Sequence, residues 1–102
     1  MSHKEEWVNL IIISKRSHKK EIIEMLYEHE AAMVIQTYAH GSAKDGLSRA
    51  LGLTPEDSKI FLTCFIPTLR VREVFNFLNY KYHFNRPNTG FAFTLPVDKI
   101  SY

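Results

Sequence analysis

Two short runs of the sequence are apolar on both alternating faces, and they constrain the fold more than any other feature. The first run, over residues 7–14, has four consecutive apolar residues at positions 10–13. The second run, over residues 58–66, places Phe61 and Phe65 opposite another apolar set. Strands that are apolar on both faces are typical of the covered centre of a sheet. We therefore predict that these two runs are central strands.

Helices and further strands are predicted around this pair. Apolar residues at helical spacing predict helices over residues 19–30 and 69–80, the second of which has the clearest periodicity in the chain. Ser17 and Thr68 are placed to cap them. Two more strands are predicted, over residues 32–40 and 91–95. In the strand over residues 32–40, Met33 is predicted to share a face with Ile35, Thr37 and Ala39.

The order strand, helix, strand, strand, helix, strand predicts an α+β fold, a ferredoxin-like βαββαβ sandwich with one antiparallel sheet. An extra short helix is predicted over residues 44–51, between the second and third strands, with Gly52 as its C-cap. This fold places the first and third strands in the centre and the others at the edges, in agreement with their patterns. With 102 residues, the chain is predicted to be a single domain, 1–102.

The two helices of such a fold cover only one face of the sheet, whereas the central strands are apolar on both. A second or third copy of the chain is the simplest cover for the open face, so a homo-oligomer is predicted. The alternative is that the extra helix over residues 44–51 folds back over this face.

Composition and charge narrow the classes of function. The net charge of +2 and the absence of a long basic run argue against nucleic acid as a partner. The single cysteine, Cys64, excludes an internal disulfide and suits a reducing compartment. No apolar run is long enough to cross a bilayer, and the charged N-terminal residues do not resemble a signal peptide. A cytoplasmic location is therefore predicted.

No catalytic or metal-binding pattern stands out. The sequence shows no Ser-His-acid set and no paired carboxylates, so we predict that the protein is not an enzyme. The histidines have no tight spacing with one another or with cysteine or acidic residues, so no metal site is predicted. They are His3, His18, His29, His40 and His83.

A turn cluster before the last strand is the strongest candidate for a binding site. Gly90 directly precedes the strand, where a missing side chain lets the backbone approach a ligand. Successive amides in such a turn can form an anion nest, and Arg86 can hold phosphate with two hydrogen bonds. The alternative is the ordinary start of an edge strand, in which Asn88 and Thr89 satisfy the turn's own backbone and Arg86 is a solvated charge.

A second candidate segment follows the second strand. Gly41 breaks that strand, and residues 41–43 lead into the predicted short helix, whose N-terminus favours an anion. Lys44 offers a positive charge to phosphate. The alternatives are plain N-capping by Ser42 and a solvated Lys44.

Two segments resemble the nitrogen-regulatory P-II-type proteins, in their short PII-like branch. Residues 88–98 are similar to the end of that branch, in which a glycine-containing turn leads into an apolar strand ending in Pro-Val. Residues 41–53 resemble its middle, where a glycine-rich start leads to Leu51-Gly52-Leu53. Most of the chain follows the branch in order and spacing.

The resemblance implies a ferredoxin-like homotrimer that binds an adenine nucleotide (ATP, ADP or AMP) or a similar anion in clefts between subunits. It also implies a role in signal transduction and nitrogen utilisation, with a protein partner such as a transporter or an enzyme, and no required cofactor. The phosphate side would comprise Arg86, Asn88, Thr89 and Gly90, and the second-strand side Gly41, Ser42 and Lys44.

The sequence also departs from the full-length family. The long partner-binding loop after the second strand is absent, and no lysine lies in the turn, where Phe91 follows Gly90. Two alternatives therefore stay open. One is a structural or interaction module with a vestigial pocket, and the other is a metal- or anion-binding protein of the CutA type.

Overall fold

Six helices and strands follow one another along the chain in the computed structural model, which describes residues 6–40, 58–86 and 89–97. A one-turn 3₁₀ helix precedes each α-helix, at Arg16–His18 and at Thr68–Arg70. The elements are β1 (Trp7–Lys15), α1 (Lys19–Glu28), β2 (Ala32–His40), β3 (Ser58–Pro67), α2 (Val71–Tyr82) and β4 (Phe91–Pro96).

The four strands form one antiparallel sheet in the order β2-β3-β1-β4. The predicted ferredoxin-like fold is therefore confirmed, with the two doubly apolar strands in the centre and the other two at the edges. The extra helix predicted over residues 44–51 and its cap at Gly52 lie outside the described residues.

The hydrophobic core lies between the sheet and the two helices. Leu10 and Ile12 of β1 share a face with Cys64 and Leu62 of β3, since the register pairs them directly. Each helix contributes residues spaced three or four apart, which places them on one side of the helix. The core cluster comprises Leu10, Ile12, Ile22, Met25, Leu26, Ile60, Leu62, Cys64, Ile66, Val74, Leu78 and Tyr82.

The predicted helix caps are wrong. The N-cap of α1 is His18 rather than Ser17, and the N-cap of α2 is Arg70 rather than Thr68. A side-chain cap requires an extended backbone at the N-cap position. Each helix instead continues from a 3₁₀ turn whose last residue is already near the helical conformation, with φ of −92° at both His18 and Arg70. Neither N-cap residue makes a side-chain capping bond.

The edge strand β2 contains a bulge that interrupts its predicted alternation. Ala32 pairs with Phe65 and Ile35 pairs with Thr63, so three steps along β2 match two along β3. Met33, inside this shift, has a left-handed φ of 54° and is 68% exposed. An extra residue of this kind bends the strand and breaks the ladder. The assignment of Met33 to one face with Ile35 is therefore not supported by the register.

The sheet face opposite the helices is rich in apolar side chains, as predicted. Ile11 and Ile13 at its centre are each only 7% exposed, and β4 places Phe93 and Phe91 directly beside them. Towards the margin, Phe65 is 37% exposed. Neither α1 nor α2 packs on this face, because their core contacts are on the other. What covers it in an assembly stays a prediction.

Among the helices of the described residues, none combines the length and apolarity that a membrane span requires.

Candidate functional site

The segments predicted to bind a ligand leave the sheet at the same end, which we call the site end. There β1 finishes at Lys15, which pairs with Lys59 near the start of β3. Lys59 pairs in turn with Ala39, next to the last residue of β2. Phe91, the first residue of β4, pairs with Ile13. The chain before β4 and the chain after β2 therefore extend from one end of the sheet.

Three of the predicted site residues, Arg86, Thr89 and Gly90, belong to the described part of the chain. The other predictions, Gly41, Ser42, Lys44 and Asn88, fall outside it. The described turn precedes β4, whereas Gly41 follows β2 at the opposite edge of the sheet. Three inter-strand spacings separate these edges, a distance of about 14 Å. Within one chain, the cations on β1 and β3 lie between the edge strands β2 and β4.

The turn side of the site end, residues 83–90, is built on the end of α2. His83 has φ 59° and ψ 42°, the left-handed conformation that commonly ends helices. Its N–H donates to the carbonyl of Asn79 at 3.0 Å, and its own carbonyl accepts the Arg86 N–H at 2.8 Å. The chain thus reverses within a few residues and heads towards β4.

Thr89 closes this turn. Its Oγ1 lies 2.6 Å from the His83 carbonyl oxygen and 2.9 Å from that of Arg86. A hydroxyl has only one hydrogen, so these two carbonyls share the donor that an anion would need. The contact matches the alternative interpretation of Thr89, in which it satisfies the turn's own backbone.

Gly90 lies against an aromatic ring of its own chain. A Cβ atom at this position would be 2.4 Å from atoms of the Phe84 ring, which is far below normal contact. The sequence pattern predicted close approach of a ligand to this glycine. In the structure the close neighbour is the Phe84 ring, which would have to move to admit a side chain at position 90.

Arg86 is exposed, and within residues 6–40, 58–86 and 89–97 its guanidinium has no polar partner. It is the one predicted phosphate ligand on the described turn side that retains free side-chain donors.

Behind the turn lies a cavity of about 290 Å³ between α2 and β4. Its lining contains no charged residue and consists of Phe75, Leu78, Asn79, Phe84, Asn85, Phe91 and Ala92. This volume is at the lower limit for small-molecule sites, which are about 300–1,000 Å³. The cavity offers apolar contact and two carboxamides, but no charge for a phosphate.

The cation side of the site end, formed by Lys15, Arg16, Lys19 and Lys59, was not predicted as part of a site. Lys15 and Lys59 are directly opposite in the sheet, although like charges so placed repel each other. Lys59 is only 2% exposed. This pair of lysines could have been found from the sequence. Pairing the two predicted central strands as antiparallel neighbours places the end of the first, at Lys15, beside the start of the second, at Lys59.

The electrostatic effect of these lysines appears at His18, in the 3₁₀ turn that follows β1. Burial lowers the pKa of His18, and the positive charges of Lys15 and Lys59 lower it further against the opposing effect of Glu21. The cation side therefore disfavours a further positive charge and favours a negative one.

Two of the cations surround Tyr38 of β2. The guanidinium carbon of Arg16 lies 4.3 Å from the centre of the Tyr38 ring, within the range of a cation–π contact. Lys19 Nζ donates a hydrogen bond to the Tyr38 hydroxyl at 2.9 Å. The Lys19 ammonium lowers the pKa of the Tyr38 phenol through this bond and its charge.

An aromatic stack connects the cation side to the turn side. The rings of His18 and Tyr82 lie nearly parallel, with their centres 4.0 Å apart. Tyr82 is the last residue of α2, directly before the turn side. Burial, together with the nearby Glu21 carboxylate, raises the pKa of Tyr82 to about 12. The start of α1 and the end of α2 are therefore held together at the site end.

In the part of the chain that the structure describes, no group of three or more His, Cys, Asp or Glu side chains is placed to hold a metal ion. The thiol of Cys64 is buried, which raises its pKa to about 11.

Comparisons by sequence find no relative. No family model matches the chain. No curated protein matches it either.

Solved structures, in contrast, share its fold. The apo form of CPII from Thiomonas intermedia K12, a nitrogen regulatory PII-like protein, superposes with a TM-score of 0.69 at 17% identity, covering 92% of each chain. CPII bound to ADP, AMP and acetate gives a TM-score of 0.66 at 15% identity, covering 95% of this chain and 94% of that one. A PII-like signalling protein from Thermus thermophilus gives a TM-score of 0.64 at 16% identity, covering 93% of this chain and 90% of that one. At such identities the likeness shows the fold alone.

Proposed function

We propose that this protein is a non-enzymatic, PII-like signalling protein that binds an adenine nucleotide at the site end and thereby regulates a protein partner. The observation that carries the proposal is the meeting of a tight turn and a group of cations at one end of the sheet. The fold is shared with CPII, one of whose structures contains ADP and AMP. A cytoplasmic location and a role in nitrogen regulation belong to the same proposal.

The proposed assembly is a homotrimer in which the open sheet faces pack together. Support comes from the apolar face that carries Ile11, Ile13, Phe91 and Phe93 opposite the helices. Packing of copies on this face would bring the site end of one subunit close to its neighbour. The predicted halves, one after the edge strand β2 and one before the edge strand β4 in the sequence, would then belong to clefts between subunits.

In this proposal the turn side contributes Arg86, Asn88, Thr89 and Gly90, and the second-strand side contributes Gly41, Ser42 and Lys44. Because Thr89 and Gly90 make contacts within the turn, their part is to shape it. Arg86 and backbone amides supply the donors. The regulatory step is ligand-dependent ordering of residues 41–45, which then contact the partner.

A second candidate function, an interaction module with a vestigial pocket, is favoured by one observation. The Thr89 hydroxyl and the face of Gly90 are both occupied by the chain itself. A turn of this kind is complete without a ligand.

Thermal unfolding in the presence of ATP, ADP and AMP distinguishes the nucleotide-binding protein from the interaction module. A ligand that binds only the folded state raises the melting temperature, with about 2.7 kcal/mol of added stability at a hundredfold excess over Kd. We expect a concentration-dependent rise with at least one nucleotide and none with adenosine, which lacks phosphate. No rise with any nucleotide at millimolar concentration would favour the vestigial module. Light scattering that reports a stable monomer would contradict the proposed trimer.

A further inference from the structure

We infer that Arg16 and Lys19, held together by Tyr38, form the site for a phosphate group on the cation side. This inference rests on the proposed nucleotide binding and adds two side chains to the phosphate donors proposed on the turn side. Neither cation belongs to the turn, which lacks lysine.

The geometry concentrates positive charge on one ring. The Arg16 guanidinium lies over the Tyr38 ring at 4.3 Å, and Lys19 Nζ lies 5.4 Å from the same ring centre. The hydrogen bond from Lys19 to the Tyr38 hydroxyl fixes the ammonium at the rim of the ring. Two like charges that share one aromatic neighbour repel each other, and an anion placed between them would remove that repulsion.

In the described part of the chain, no carboxylate is paired with Arg16 or Lys19. The ion pairs formed within residues 6–40, 58–86 and 89–97 involve neither Arg16 nor Lys19. The nearby acidic residue Glu21 pairs with Lys81, on α2. Lys15 adds further positive charge beside His18. Arg16 and Lys19 thus carry positive charge that a phosphate would compensate.

The Arg16 side chain is also incompletely hydrogen-bonded. Its Nε is buried and has no hydrogen-bond partner. A guanidinium with unused donors, partly removed from water, attracts an anion more strongly than a fully solvated one. Arginine and lysine together offer both the fork geometry and the point charge that bind phosphate in proteins.

The position of Tyr38 connects this cluster with the proposed regulatory segment. Tyr38 pairs with Ile60 and lies two residues before the end of β2. Gly41 and Ser42 follow directly in the sequence. A phosphate bound by Arg16 and Lys19 would therefore lie beside the point where residues 41–45 leave the sheet. Binding there would bias the conformation of that segment through Tyr38.

Isothermal titration calorimetry tests the inference with two probes, ADP and inorganic pyrophosphate, which has no base. The variants are Arg16→Gln and Lys19→Gln, and the matched control is Lys20→Gln. Lys20 is the next residue on α1, carries the same charge and is exposed to solvent. Lys19→Arg keeps the charge and tests for rescue. Circular dichroism melting shows that each variant folds.

We expect Arg16→Gln and Lys19→Gln each to weaken binding of both probes about tenfold or more, since each removes a charge-assisted contact. Lys20→Gln should stay within about twofold of the parent, and Lys19→Arg within about threefold.

The other outcomes separate this inference from the proposed function. If ADP binds equally to the parent and to both variants, the inference is overturned while nucleotide binding stands. If pyrophosphate binds through Arg16 and Lys19 but ADP does not bind, the phosphate site stands and the nucleotide function is overturned. If the parent protein binds neither probe, both are overturned.

Discussion

The turn side and the cation side occupy the same end of the sheet but differ in what they leave unsatisfied. On the turn side, the Thr89 hydroxyl and the His83 carbonyl bond to each other, and Gly90 packs on Phe84. On the cation side, Arg16 and Lys19 meet at Tyr38 without a carboxylate partner in the described ranges. The comparison teaches that the turn satisfies its own polar groups, whereas the cations before and at the start of α1 keep charge that could meet the proposed phosphate.

The largest expected effect concerns Gly90. Replacing it by Val should destabilise the fold by about 1–3 kcal/mol even without ligand, because the new side chain overlaps the Phe84 ring. Urea unfolding measures the loss. In a Phe84→Ala background the same replacement should cost much less, since the ring is gone. Equal costs in both backgrounds would show that Phe84 is not the reason for the glycine.

A smaller effect is expected at Thr89. Thr89→Val keeps the shape but removes the hydroxyl that donates to the turn carbonyls, so unfolding should become easier by about 1 kcal/mol. Thr89→Ser, which retains the hydroxyl, is the control and should lose less. Chemical denaturation of the three proteins provides the comparison. A Val variant as stable as the parent would mean that the turn does not depend on this bond.

The smallest effect is expected at His18, on the cation side. Burial is the main cause of its lowered pKa, and Lys15 is the next. Lys15→Gln should therefore raise the pKa of His18 part of the way towards its ordinary value, as followed by NMR titration of the imidazole. Lys20→Gln is the control of equal charge and should leave it nearly unchanged. If the pKa of His18 is unaltered in Lys15→Gln, Lys15 does not contribute to the positive potential of the cation side.

The lowered pKa of His18 also determines how its contribution to the stability of the fold depends on pH. Because the folded pKa of His18 lies below the unfolded value of about 6.5, the unfolded chain binds more protons between the two values. The contribution of His18 to stability therefore rises as pH increases through that window, and it is lost as pH falls below about 6.5.

Much of the fold could be predicted because each strand carried its own pattern. Continuous apolar residues identified the central strands, and helical periodicity identified α1 and α2. The bulge at Met33 could not be predicted, since methionine gives no signal for a left-handed backbone. The predicted caps at Ser17 and Thr68 were wrong because a 3₁₀ turn precedes each helix. Residue preference for the cap position does not reveal such a turn.

For the candidate site, the sequence indicated which chain segments to consider, but not the contacts that they make. The glycine turn identified where β4 begins, but the residue that fills the space beside Gly90 is Phe84, across a loop that local rules do not describe. The Tyr38 cluster depends on contacts between β2 and the start of α1. Such contacts between separate elements follow from the three-dimensional fold and leave no motif in the sequence.

The bulge at Met33 also affects how copies of the chain can associate. An edge strand with a regular ladder offers free backbone groups to a strand of another molecule, and this is a common route to aggregation. Here the irregular segment between Ala32 and Ile35 twists the exposed border of β2 away from a flat template. Extension of the sheet by a further strand is disfavoured at that segment of β2, which agrees with the apolar face as the contact in the proposed trimer.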